Sequence, residues 1–281
     1  MIAVTGATGN VGQSLVRELA EDGEKVVAIS RGAKDIRMPE GVTHRRADIA
    51  DPDALAAAVA GASALFLLIT GDQLITGPEP ERVLAAVEAA GVRKVVFLSS
   101  QGAVTRSGSG GYARTLAFET ALRGSDLSWT VLRPGGFFSN TFAWADSVRA
   151  HRAVAAPFGD IALPAVDPAD IAAVAAAVLR SDEHHGRAYT LTGPEAVSPR
   201  AQAHTLADVL GEPVRFTELT RDEARTGMLR FMPDSVADHT LSILGEPVPA
   251  ELEVSPDVEA VLGRPAGSYA QWAERSIAAF R

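Results

Sequence analysis

The first twelve residues, M-I-A-V-T-G-A-T-G-N-V-G, constrain the fold more than any other stretch of the chain. Ile2–Thr5 is a short apolar run suited to a buried strand. Gly6, Gly9 and Gly12 follow at G-x-x-G-x-x-G spacing, and a helical pattern begins at once. Strand, glycine turn and helix is the context in which such glycines hold a dinucleotide. Gly6 suits a tight turn. Gly9 leaves the backbone open to a pyrophosphate, and Gly12 lets the helix pack close to the strand. The free N–H groups and positive dipole end of that helix then face the phosphates.

The rest of the first half repeats the alternation. Strands are expected at Lys25–Ser30, Val42–Arg45, Ala64–Thr70, Lys94–Ser99 and Trp129–Leu132. Helices are expected at Pro52–Ala60, with Asp51 as N-cap and Pro52 at the first position, and at Pro80–Ala90 and Gly111–Arg123. Strands alternating with helices imply an α/β fold, a Rossmann-type doubly wound parallel sheet. After Arg133 the pattern changes, and proline, glycine and aromatic residues cluster at Pro134–Trp144. Helices at Asp167–Leu179, Ser198–Leu210 and Ser268–Phe280 and a strand at Ala188–Leu191 complete a mixed second half. The expected division is a dinucleotide-binding part, 1–155, interleaved with a smaller substrate-binding region, 156–281. Ser107–Gly111, S-G-S-G-G, suggests a lid ahead of Tyr112.

Composition narrows the function classes. With 281 residues, 47% of them hydrophobic, the chain can bury a large core. Its net charge of −9 disfavours nucleic acid as a partner. No apolar run approaches the roughly 20 residues of a membrane helix. The chain enters a strand at residue 2, so no signal peptide and a cytoplasmic location are expected. Cysteine is absent, which removes thiol catalysis and cysteine-held metals. The histidines form no metal signature: His184 and His185 sit in a polar turn expected to be solvated, and His44, His151, His204 and His239 stand alone. Asp167 and Asp170 precede an alanine-rich helix, where capping explains them better than catalysis.

In NAD-binding versions of this fold an acid ends the second strand and holds the ribose 2′-hydroxyl. Here that strand ends Ile29-Ser30-Arg31, a hydroxyl and a guanidinium, with Lys34 nearby. Arginine matches phosphate geometry, so NADP(H) is favoured, with NAD(H) the alternative.

On these residues the chain resembles the atypical short-chain dehydrogenase/reductases, in particular the NmrA-like branch that includes NAD(P)H quinone oxidoreductases. The resemblance lies in T-G-A-T-G-N-V-G at Thr5–Gly12, A-D-I at Ala47–Ile49, F-L-S-S at Phe97–Ser100 and W-T-V-L-R-P-G-G-F-F at Trp129–Phe138. V-D-P-A-D-I-A at Val166–Ala172 and Y-T-L-T-G-P at Tyr189–Pro194 extend it into the second half. It implies that Gly6, Thr8, Gly9, Asn10 and Val11 contact the pyrophosphate and that Asp48 and Ile49 flank the adenine. It implies that Leu68, Ile69 and Thr70 lie along the ribose, that Ser99, Ser100 and Gln101 lie near the nicotinamide ribose, and that Pro134, Gly135, Gly136 and Phe137 border the nicotinamide. No metal and no flavin are implied.

The larger superfamily reduces carbonyls with a Tyr-x-x-x-Lys pair. Here G-Y-A-R-T-L-A-F-E-T-A-L, Gly111–Leu122, puts Thr115 or Leu116 in the lysine slot, and Arg114 is a poor proton donor. A quinone tolerates this loss, because its reduced oxygens are phenolic and ionise near the tyrosine value of about 10. The expected activity is NADPH-dependent hydride transfer to a quinone or polycyclic aromatic substrate, including polyketides. The resemblance, together with the alanine- and arginine-rich composition, suggests an extension to O2-dependent hydroxylation without flavin or metal. The alternative is an NADP-binding redox sensor of the NmrA type. Tyr112, Gln101 and Asn140 are the candidate catalytic residues. Phe138, Phe142 and Trp144 are candidates for a small aromatic substrate, with Phe216, Met228, Phe231 and Met232 as further closing groups. A homodimer is left open.

Overall fold

The computed structural model describes residues 1–32 and 38–281. In chain order its elements begin β1 (Ile2–Val4), α1 (Asn10–Glu21), β2 (Val26–Ser30), β3 (Val42–Arg46), α2 (Pro52–Val59), β4 (Ala64–Leu68), α3 (Pro80–Ala89) and β5 (Lys94–Leu98). They continue α4 (Gly102–Thr105), α5 (Ala113–Arg123), β6 (Ser128–Pro134), α6 (Ala145–His151), β7 (Ala153–Pro157), α7 (Pro168–Arg180) and β8 (Arg187–Leu191). The last are α8 (Pro199–Leu210), β9 (Arg215–Leu219), α9 (Arg221–Met228), α10 (Asp234–Gly245), α11 (Pro249–Leu252), α12 (Asp257–Leu262) and α13 (Tyr269–Ser276).

Seven strands form one sheet in the order β3-β2-β1-β4-β5-β6-β8. All neighbours run parallel, with Ile2 opposite Val26 on one side and Ala64 on the other. The strands are short apolar runs because both faces are covered. Ala3, Val27, Ile29, Leu65, Leu67, Val95 and Phe97 point to the face packed by α2, α3 and α5. On the other face α1 buries Val11, Leu15, Val16 and Leu19, and packs along the alanine-rich α7. The strand order reverses direction at β1, so the carboxyl ends of β1, β2 and β4 frame the switch-point crevice where ligands bind in such sheets.

The chain divides into two compact units: 1–134 with 168–191 and 261–263, and 135–167 with 192–260 and 264–281. A single cut after residue 155 is therefore too simple. α7 and β8 return to the first unit because β8 pairs with β6 and α7 covers the sheet. In the second unit β7 and β9 form a parallel pair beside an aromatic core of Phe138, Tyr269, Trp272 and Phe280. Among the described residues no helix is long and apolar enough to cross a membrane.

Candidate dinucleotide site

The turn between β1 and α1 is tight by construction. Gly6 has φ +62°, and a Cβ there would lie 2.7 Å from Leu68 Cδ2. A Cβ on Gly12 would lie 2.1 Å from the Gly6 carbonyl oxygen and 2.8 Å from Ala7 Cα, so only glycine lets α1 close onto the turn. Gly9 is different. A Cβ there would meet only the Gly6 oxygen, at 3.4 Å. The protein's own packing does not require glycine at 9, and what its missing side chain preserves is open access to the N-terminus of α1. No side chain caps that end, and no acid sits in its first turn. Its N–H groups and dipole therefore suit a phosphate.

A cavity of about 160 Å³ opens at this turn. Gly6, Thr8, Gly9, Arg31, Ile49, Leu68 and Thr70 line it, as expected positions brought together from the ends of four strands. Thr5, Ile29, Ser30, Ala47 and Gln73 complete the lining. Thr5 ties β1 to β4: its Oγ1 donates to the Phe66 carbonyl at 3.0 Å and accepts from Leu68 N–H at 2.8 Å. Ser30 Oγ lies 2.8 Å from His44 Nε2, so this histidine is partnered rather than alone. Arg46 Nε donates to the Arg31 carbonyl at 2.7 Å, which brings a second guanidinium beside the end of β2. Lys34 falls outside the described residues. Val11 and Ile69 are buried in the packing beneath the turn, and Asn10 opens α1. Apolar walls, a glycine turn, an uncapped helix end, and Arg31 with the Arg46 guanidinium at the end of β2 fit a phosphorylated dinucleotide.

At the ends of β5 and β6 the side chains form a charged network. Ser99 Oγ donates to Glu119 Oε1 at 2.6 Å, Arg133 donates to both carboxylate oxygens at 3.0 and 2.5 Å, and Arg123 donates to Oε2 at 2.7 Å. Glu119 is wholly buried. Burial alone would raise its carboxyl, but the hydrogen bonds from Arg133, Ser99 and Arg123 and the attraction of Arg133 outweigh it and hold the group below the ordinary carboxylate range. The backbone adds to this ledge: Ser99 N–H donates to Leu132 O and Gln101 N–H to Pro134 O. Ser100 Oγ accepts from Gly102 N–H at 3.2 Å.

Tyr112 lies in a 3₁₀ turn ahead of α5, not on the helix itself. Its ring is laid on Gly102, where a Cβ would come within 2.1 Å of Tyr112 Cζ. Arg114 faces away from any proton-transfer role. Its Nε donates to Gln73 O at 2.7 Å and its Nη2 to Pro78 O at 2.6 Å. Thr115 is buried, and α5, A-R-T-L-A-F-E-T-A-L-R, contains no lysine.

The substrate candidates lie in the second unit. Phe138 is fully buried, with Tyr269 edge-on at 5.3 Å and Trp272 at 6.4 Å, so its ring packs the core and offers no open face. Phe142 stacks on Phe280 at 5.8 Å yet stays 40% exposed, and Trp144 packs half-buried against the same cluster. Asn140 is exposed in that turn. Gly136 and Phe137 are held by Val166, whose N–H donates to Gly136 O at 2.7 Å. Phe216 lies under the Arg200 guanidinium at 4.7 Å, and Phe231 is 75% exposed. His184 is not simply solvated: its Nδ1 lies 2.8 Å from the Tyr189 hydroxyl, and His185 packs edge-on to Trp129. Asp167 is buried and pairs with Arg275.

Fold and cradle together define a dinucleotide-binding protein of the doubly wound class. The chain belongs to the NAD(P)H-binding family, whose model matches residues 6–182, and it is of the NmrA-like, atypical short-chain dehydrogenase/reductase type. It is 40% identical to a (4-alkanoyl-5-oxo-2,5-dihydrofuran-3-yl)methyl phosphate reductase of Streptomyces griseus, over 100% of this chain and 99% of that one. It is 32% identical to an NAD(P)H azoreductase of Xenophilus azovorans, over 100% and 99%. Among solved structures it is similar to an NADPH-dependent quinone oxidoreductase of Escherichia coli complexed with NADPH: TM-score 0.80, 27% identity, 99% of this chain and 100% of that one. NAD(P)H-dependent oxidoreductase is the class these similarities define.

Proposed function

We propose that this chain is an NADPH-dependent reductase that delivers a hydride to an electron-poor conjugated ring, such as a quinone or a polycyclic aromatic, rather than to a simple ketone. The observation that carries this reading is the make-up of α5: no lysine, Thr115 and Leu116 in its place, and Arg114 committed to backbone carbonyls. A simple alkoxide needs a strong positioned acid. A hydroquinone oxygen, a phenol ionising near about 10, does not. The similar Streptomyces reductase is named for a ring whose double bond is conjugated to two carbonyls, so hydride addition there leaves an enolate spread over both oxygens. Quinones and such lactones share this property, and it is the property an acid-poor site requires.

Bound NADPH supplies the hydride. The protein's part is to bind and orient. The glycine turn and the N-terminus of α1 take the pyrophosphate, while Ser30 and Arg31 take the 2′-phosphate. The Glu119 network fixes the ends of β5 and β6, and Ser99, Ser100 and Gln101 there would hold the nicotinamide ribose. Tyr112, seated on Gly102, is the proposed hydroxyl donor, and Gln101 is proposed to orient the acceptor.

The test is NADPH and NADH oxidation followed at ~340 nm against naphthoquinones, anthraquinones, an azo dye and an alkanoyl dihydrofuranone, with oxygen uptake in parallel. NADPH turnover with these and none with simple ketones is the expected result. Oxygen uptake beyond background would extend the role to hydroxylation. Tight NADPH binding without turnover on any acceptor would instead support a redox sensor. Arg31→Asp should weaken NADPH by more than about tenfold and leave NADH little changed. Tyr112→Phe should lower kcat by less than about tenfold, below the ~10²–10⁴-fold of an indispensable acid.

A further inference from the structure

None of residues 71–79, the loop that follows β4, is buried, and Ile75 is 65% exposed. Apolar packing therefore does not hold this loop, although Gln73 within it lines the cavity. Its own backbone bonds are local. Ile75 and Thr76 N–H both donate to Asp72 O, at 2.9 and 2.8 Å, which shapes a turn without fastening it to the sheet. The Gln73 side chain ties one end to Asp48. Arg114 of α5 ties the rest: its Nε donates to Gln73 O at 2.7 Å and its Nη2 to Pro78 O at 2.6 Å. A charged donor makes such bonds stronger than neutral ones. The guanidinium is itself seated, with its carbon 5.4 Å from the centre of the Phe118 ring, and Phe118 stacks at 5.5 Å on Phe97 of β5. The loop is shaped to receive it. Gly77 has φ +145°, and a Cβ there would lie 2.8 Å from Arg114 Nη2.

We infer that Arg114 is a positioning residue: it pins the 71–79 loop to α5 and so sets how long the dinucleotide stays bound. It stands two residues after Tyr112, on the stretch where the larger superfamily carries its lysine, and its guanidinium is spent on loop carbonyls instead. Arg114 touches no ligand in this role. It acts through a loop that has no buried side chain of its own to hold it, and a loop of that kind opens locally at little cost. Release of a cofactor past such a loop is a step that can limit turnover. The role rests on the nucleotide-binding reading above and goes beyond it, since it concerns the lifetime of the complex rather than the groups that recognise the nucleotide.

The test is NADPH binding and release by the full chain, followed by NADPH fluorescence at equilibrium and in stopped flow, in wild type, Arg114→Met and Arg114→Lys. Arg114→Met should raise the release rate and Kd by about tenfold, the effect of losing hydrogen bonds to a charged group. Arg114→Lys keeps a charged donor and should recover most of this, to within about threefold of wild type. With a naphthoquinone as acceptor, KM for NADPH should follow Kd while KM for the quinone stays within about twofold. Amide exchange should quicken at 72–77 in Arg114→Met and stay unchanged along β1 and α1. A residue that served the fold alone would lower the melting midpoint and leave Kd, release and both KM values as they were, and that result overturns the inference. So does a release rate within about twofold of wild type in Arg114→Met. If Arg114→Met does not fold, Arg114→Lys decides: wild-type release together with wild-type exchange at 72–77 overturns the role, and faster release with quickened exchange there supports it. Failure of the wild type to bind NADPH defeats the nucleotide-binding reading, whereas wild-type binding with unchanged release in the variants defeats only the positioning role.

Discussion

Glu119 joins three elements through one carboxylate, and its value depends on both arginines being present. Arg133 keeps only 16% of its side chain exposed, so removing the charge of Glu119 would strand a guanidinium in a poorly solvated place. The folded carboxyl titrates below its unfolded value of about 4.3. Its contribution is therefore complete above that pH and fades as pH falls through the lower folded value. Glu119→Gln should cost about 3–5 kcal/mol at neutral pH, the usual loss for breaking a buried pair. The gap from wild type should narrow below about pH 4, read by urea unfolding at both pH values. Equal stability at neutral pH, or a gap that ignores pH, would contradict this. Single residues were unevenly legible. Gly6 and Gly12 announced themselves by spacing: a positive φ and the Leu68 side chain explain the first, a backbone clash the second. Gln73 carried no sequence signal, because its contact with Asp48 forms only once the sheet brings the two loops together.

Elements were easier to read, and their ends were set by local chemistry. The Asp-Pro pair at 51–52 predicts a helix start. Asp51 does accept from Asp53 N–H at 3.1 Å and Ala54 N–H at 3.0 Å, with Pro52 in the first turn. Less visible was the other end of α2, where Arg45 Nη1 donates to the carbonyls of Ala58 and Ala60 at 2.8 and 2.9 Å. That bond needs β3 beside α2 and so cannot be read from local sequence. Asp51→Ala should destabilise by about 1 kcal/mol and Asp51→Asn by much less, since asparagine caps nearly as well. Chemical denaturation of the three proteins side by side checks it, and equal losses for both variants would assign the effect to charge instead. α5 starts at Ala113 rather than Gly111, because Gly110 and Gly111 favour a 3₁₀ turn that carries Tyr112 off the helix. The register of a tyrosine against a lysine was therefore a question the sequence could pose and only the turn could answer.

At the scale of the whole molecule, strand–helix alternation predicted the parallel sheet, and the seven-strand order placed the crevice at β1. The division was harder to see. The return of 168–191 to the first unit follows from the pairing of β8 with β6, a contact between segments far apart in sequence. The described cavity is lined entirely by the first unit, and this has a thermodynamic consequence. A ligand that binds only the folded state stabilises it by about 2.7 kcal/mol at a concentration of 100 Kd. For a protein of this size each kcal/mol moves the midpoint by roughly 2–4 °C. NADPH should therefore raise the melting midpoint by roughly 5–10 °C, and NADH at the same concentration by less if Arg31 binds the extra phosphate as proposed. Amide hydrogen exchange should localise the effect. Protection should be greatest at 6–12, 47–50 and 70–76, whose residues line or flank the cavity, and smaller in the Phe138–Trp272 core of the second unit. Equal protection of both regions would mean that the two units open together, and protection confined to the second would place the nucleotide somewhere other than the glycine turn.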